Sequence, residues 1–102
     1  MEIKWSERAI RSLHAVEAYI LHEFGEQARV KFMQASKEVA EQLENFPQMG
    51  KEEPLLIHRK VPYRSVVIER KSKMIYYIRE QQIIIADFWE CRREPRKNAK
   101  GL

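Results

Sequence analysis

One cysteine, Cys91, stands among the 102 residues, so the chain cannot close a disulfide on itself and nothing ties it to an oxidising compartment. Glycine and proline are scarce, at three and four, which excludes fibrous and linker-rich classes. Long apolar stretches are missing too. The longest aliphatic run, Ile83-Ile84-Ile85-Ala86, stops at Asp87, far short of the roughly 20 residues that cross a membrane as a helix. The opening residues Met1-Glu2-Ile3-Lys4-Trp5 turn polar at once and hold no signal-like apolar region, so a cytoplasmic protein without a membrane partner is expected. There is no Walker loop, GxGxxG, HExxH, paired-cysteine zinc motif or Ser-His-Asp order, and neither a cofactor nor a metal is implied. His14 and His22 lie about two helical turns apart, too far to share a metal directly.

What is present is a single domain's worth of chain, 44% hydrophobic, with a net charge of +4. The charge is unevenly placed. Residues 1–55 carry seven Lys and Arg against ten Asp and Glu; residues 56–102 carry twelve against five. A basic second half suits a polyanion or an acidic partner, although a solvated Lys/Arg-rich surface gives the same count.

Ile3 and Trp5 alternate with Glu2 and Lys4, the pattern of a short strand. Ser6 offers an N-cap oxygen and Glu7 a first-turn carboxylate. Ile10, Leu13, Val16, Ile20 and Phe24 then follow at helical spacing, and Gly25 supplies a C-terminal turn. A second helix starts near Glu26, with the stripe Ala28, Phe32, Ala35, Val39, Leu43 and Phe46, and ends at Pro47. From there the period changes from helix to strand. Residues 55–59, 64–69, 74–79 and 83–89 read as four strands, rich in β-branched and aromatic residues, the last three a meander. The expected fold is α+β: a helical hairpin on one face of a twisted antiparallel sheet, in the order β-α-α-β-β-β-β. Residues 96–102 are expected to be a mobile basic tail of this one domain, 1–102.

Alternation puts Arg64, Val66 and Ile68 on one side of their strand. If that side is the open one, Arg64 stands there, with Arg59 and Lys60 just before it, Arg79 at the next strand's end, and Arg92 and Arg93 past the last. Tyr63, beside Arg64 in a turn, is the first choice for an exposed functional aromatic. His58 has neutral-range titration and basic neighbours, but a lone surface histidine is the plainer reading. Basic neighbours could likewise lower the Cys91 pKa, with an incidental thiol as the plainer reading. Core packing is the default for Trp89, Phe88, Tyr76 and Tyr77.

Taken in order, several pieces resemble the RelE/ParE family of toxins from bacterial type II toxin–antitoxin systems. They are Ala9-Ile10 through Tyr19-Ile20, the helix ending Leu43-Glu44-Asn45-Phe46-Pro47-Gln48-Met49-Gly50, the segment Arg59-Lys60-Val61-Pro62-Tyr63-Arg64, and the close running from Ile85-Ala86-Asp87 to Arg92-Arg93-Glu94-Pro95. Together they span nearly the whole chain. The resemblance implies a cytoplasmic toxin, a hydrophobic groove for a cognate antitoxin, and one of two targets. RelE-like members cut messenger RNA on the ribosome without a metal; ParE-like members poison DNA gyrase. Under the ribonuclease reading the catalytic set would be Arg64, Arg93, Lys60 and His58. Arg59, Tyr63, Arg79 and Arg92 are the candidates for binding target or nucleic acid. RelE-like ribonucleases carry a Tyr or His in the C-terminal tail, and residues 92–102 hold neither. That departure turns the expectation towards a ParE-like inhibitor, with the ribonuclease, or an inactive antitoxin-binding member, as alternatives.

Overall fold

The computed structural model describes residues 1–92 and 95–102, the side chains of residues 95 and 96 excepted. Its elements are β1 (Glu2–Trp5), α1 (Glu7–Phe24), α2 (Glu26–Asn45), β2 (Lys51–Glu52), a 3-10 turn (Pro54–Leu56), β3 (Arg64–Ile68), β4 (Ser72–Arg79), β5 (Gln82–Glu90) and α3 (Pro95–Ala99). The expected hairpin-on-sheet fold and its element order are present. Ser6 caps α1, its hydroxyl accepting the Ala9 N–H at 3.0 Å. Gly25 joins the two helices at φ +93°, ψ 177°, a conformation closed to residues with a Cβ.

The sheet runs β1-β5-β4-β3-β2. It is mixed rather than wholly antiparallel, because β1 lies parallel to β5, Ile3 opposite Ile83. The two helices return the chain across the sheet between β1 and the meander, so β1 is free to take the vacant edge of β5 in either direction. β5 is therefore an interior strand between β1 and β4, covered on both faces, which accounts for its near-continuous apolar sequence. A register shift between Ile75 and Tyr76 leaves Ala86 as the extra residue of a bulge in β5. Without it, alternation would put Phe88 on the opposite face from Ile83 and Ile85. The extra residue brings all three into the helix-side core.

That core joins Val16 and Ile20 of α1 and Phe32, Ala40 and Leu43 of α2 to Ile68, Met74, Tyr76, Ile83, Ile85 and Phe88 of the sheet. The Trp5 ring stacks on Phe88 with centroids 5.7 Å apart, and Phe32 meets Phe88 edge-on at 6.4 Å. Phe24 and Phe46, at the ends of the two stripes, are instead exposed.

Two expectations about the second half need correction. Residues 55–59 do not form a strand. Pro54 occupies the first turn of a 3-10 helix, and the Glu53 carboxylate caps it by accepting the Leu55 N–H at 3.0 Å. The strand at that place in the order is Lys51–Glu52, paired antiparallel with Ser65 and Arg64. Second, the far side of the sheet is not open: Leu56, Ile75, Ala86, Trp89 and Ala99 form a smaller core there, with Tyr63, Tyr77 and Leu102 packed against it. The end of the chain packs on this face. α3 buries Ala99, and the Asn98 side-chain amide donates to the Glu90 carbonyl at 3.1 Å.

Candidate functional site

β3 carries Arg64 with Val66 and Ile68, and the last two pack in the helix-side core. Arg64 thus points to the helix side, not to the far face. It meets the loop that closes α2. Its Nη1 donates to the Gly50 carbonyl at 2.6 Å. Beside it the Tyr76 hydroxyl donates to the Pro47 carbonyl at 2.8 Å and accepts the Gly50 N–H at 2.9 Å. Burial pushes the Tyr76 phenol pKa up, with the Gly50 N–H and the Arg64 charge acting against it. Gly50 is required by close approach: a Cβ there would come within 2.7 Å of the Tyr76 ring and 2.9 Å of the Ser65 carbonyl. The Pro-x-x-Gly close of α2, the Tyr76 ring and Arg64 are one structural corner.

The segment between the 3-10 turn and β3 gathers most of the other cations. Arg59, Lys60, Tyr63 and Arg64 line a cleft of ≈ 200 Å³. On the other side of Lys60, a second cleft of ≈ 250 Å³ is lined by Lys60, Tyr77 and Arg79. Tyr63 is half-buried, its ring edge-on to Tyr77 at 5.6 Å, and burial raises its pKa. It is therefore not the freely exposed aromatic expected. His58 is exposed in the turn and lines neither cleft. Arg92 belongs elsewhere. It follows β5, whose Glu90 pairs with Ser72 at one end of β4, whereas Arg79 closes the other end, roughly 23 Å away at about 3.3 Å per residue. The basic residues thus do not converge on a single site. Arg93 lies outside the described residues.

Arg92 instead meets the tip of the helical hairpin. Its Nη1 donates to the Tyr19 hydroxyl at 2.5 Å, and its guanidinium carbon sits 5.9 Å from the Tyr19 ring centroid. Phe24 packs edge-on to Tyr19 at 6.3 Å, and Lys71 Nζ lies 5.2 Å over the Phe24 ring. The exposed Phe24 and the half-buried Tyr19, each under a cation, form an attractive, partly desolvated surface. The sequence reading did not single out Lys71 or Phe24 for this surface. The available signal was an apolar stripe on α1 that runs one turn past what a sheet of this size can cover.

A further feature the sequence reading missed is Glu53, fully buried on the far face. It accepts from Lys73 Nζ at 2.8 Å and Ser65 Oγ at 2.9 Å as well as from the Leu55 N–H. Burial pushes this carboxyl up, but those three hydrogen bonds and the Lys73 charge outweigh it and hold the pKa below the ordinary value. Cys91, read from the sequence as an incidental thiol that basic neighbours could activate, has its pKa raised by desolvation despite Lys73.

A family model described as the ParE toxin of the type II toxin–antitoxin system, parDE, matches residues 3–95. The chain belongs to the ParE toxin family. It is a type II toxin, as the order of its motifs implied. Among solved structures, one described as the chromosomal ParDE TA system from P. aeruginosa is similar to this ParE toxin. Its TM-score is 0.68 at 22% identity, with 88% of this chain and 95% of that chain covered. At that identity the likeness supports the fold. No curated protein sequence matches. Among the described residues, no helix of this toxin is long and apolar enough to cross a membrane.

Proposed function

We propose that this ParE toxin arrests bacterial growth in the cytoplasm by binding DNA gyrase, and that a cognate antitoxin neutralises it. The observation that carries the reading is the position of Arg64. Metal-free cleavage of RNA needs free cations on the phosphate, together with a base and an acid. Here the arginine best matched to the phosphate is bonded to a backbone carbonyl in its own fold. His58 stands outside the cleft that Lys60 lines, and the tail has no Tyr or His. By contrast, the hairpin and the start of the C-terminal segment meet at Tyr19 and Arg92, which gives a binding surface without demanding catalysis. Arg59 and Arg79 would add to target binding from the neighbouring clefts.

An apolar groove of ≈ 360 Å³ between β1 and α2, lined by Ile3, Trp5, Leu13, Met33 and Ala40, suits the antitoxin. It runs beside the unpaired edge of β1, where an extended or helical segment could bury apolar side chains. The test is induction of the toxin in a bacterium lacking the antitoxin, with new RNA 5′ ends mapped within minutes and gyrase–DNA cleavage complexes assayed in parallel. Intact messages with accumulated cleavage complexes are expected. Codon-phased cuts in translated messages, with gyrase unaffected, would replace this reading with the ribosome-dependent endoribonuclease. Growth unaffected by a folded, expressed chain would leave only the antitoxin-binding module.

A further inference from the structure

The cations that border the N-terminal turns of α1 belong to neither surface described so far. Arg8 and Arg11 of α1, with Lys97, Asn98 and Lys100 at the C-terminal end, line a cleft of ≈ 390 Å³ whose floor includes Asp87. Asp87 is buried and accepts from the Phe88 N–H at 3.0 Å and Trp89 Nε1 at 2.9 Å, while Arg8 Nη2 lies 3.2 Å from its second oxygen. Arg8 also donates to the Lys100 carbonyl at 3.0 Å. Arg8 and Asp87 therefore hold the two walls together, and Asp87, the one carboxylate lining the cleft among the described residues, is already engaged by three donors. Among the described residues, Arg11, Lys97 and Lys100 enter no ion pair. Arg11, Lys97 and Lys100 thus line one concave space from two stretches that are far apart in sequence.

We propose that this cleft binds the phosphodiester backbone of a duplex nucleic acid. The lining favours phosphate over an acidic peptide, which would bring apolar side chains needing pockets. The aromatic residues in this cleft, Phe88 and Trp89, are each only 3% exposed. The same burial disfavours a single strand, because no ring is available for bases to stack on. Phosphate contacts of this kind position a protein on nucleic acid without reading its sequence. The inference does not depend on what the toxin inhibits, so it can fail or hold separately from the gyrase reading.

The test uses the full chain and fluorescent duplex DNA of mixed sequence, with affinity measured across a salt series. The wild type should bind with a steep salt slope. The triple variant Arg11→Gln/Lys97→Gln/Lys100→Gln should flatten that slope by about 0.9 for each cation removed. A control of equal charge change, Lys4→Gln/Lys31→Gln/Lys51→Gln, should leave most of it. Equal flattening by both triples would reduce the effect to net charge and overturn the site. Tighter binding of single-stranded RNA than of duplex, or displacement of the duplex by polyglutamate at matched charge, would overturn the ligand. Should the triple variant fold poorly, amide shifts of the wild type on adding duplex decide instead. They should concentrate at residues 8–15 and 97–100, and shifts confined to other surfaces would contradict the proposal.

Discussion

Two arginines of this chain sit in opposite situations. Arg64 is half-buried against the loop that follows α2, where it bonds to the Gly50 carbonyl beside the Tyr76 hydroxyl. Arg92 is exposed, laid against Tyr19 at the hairpin tip with Lys71 and Phe24 alongside. The first arrangement satisfies backbone groups of the loop that follows α2. The second holds aromatic and cationic groups at the surface, where they stabilise little and are available to a partner. A basic residue in a family motif can therefore be tied into the backbone of the fold at one corner and lie on an exposed surface at another. The kind of partner, a backbone carbonyl for Arg64 and a side-chain hydroxyl for Arg92, and the exposure separate the two, whereas the charge does not.

The contrast predicts unequal consequences for stability. The largest loss should come from neither corner but from the core that supports both. Phe32 is fully buried between α2, Phe88 and the sheet, so Phe32→Ala should cost about 3–5 kcal/mol in urea unfolding. Arg64→Ala comes next. It removes a charge-assisted bond and leaves a carbonyl short of a partner, so a loss of about 1.5–3 kcal/mol is expected. A midpoint unchanged from wild type would show that the 47–50 corner does not need its arginine.

Glu53→Gln sharpens the comparison on the far face, with an expected loss of about 1–3 kcal/mol at neutral pH. The Glu53 pKa is depressed in the folded state, so its contribution is present above the unfolded carboxylate value, about 4.3, and fades as pH falls through the folded one. The gap between wild type and Glu53→Gln should therefore narrow in acid below about pH 4; a gap that widens there would contradict the assignment. The smallest effect should be that of Arg92→Ala, within about 0.5 kcal/mol of wild type, measured by the same unfolding curves.

The sequence made the helices and the meander legible because both faces obey simple periods. Phe32 and Leu43 on α2, and the alternation through β3 and β4, lead directly to the helix-side core. Period two says which residues of a strand share a side, but not which side is covered. Arg64 could therefore be grouped with Val66 and Ile68 and still be placed on the wrong face. The run Leu55-Leu56-Ile57 resembles a strand by composition, while Pro54 behind a capping Glu53 carried the opposite signal. β2, at Lys51 and Glu52, has no strand signal of its own and exists through pairing with β3. The bulge at Ala86 and the packing of α3 on Trp89 arise from tertiary contacts that no local pattern announces. The Tyr19–Arg92 contact joins residues 73 positions apart, and only the fold brings them together.

The central claim is that recognition lies with the hairpin tip and Arg92, on a target that is gyrase. The most direct measurement is inhibition of DNA supercoiling by purified gyrase, titrated with wild-type toxin, Arg92→Ala and Arg64→Ala, each first shown to be folded at the assay temperature. The account predicts that wild type inhibits, that Arg92→Ala needs a markedly higher concentration, and that folded Arg64→Ala stays close to wild type. No inhibition by the wild type, or a loss that follows Arg64 and spares Arg92, would contradict it.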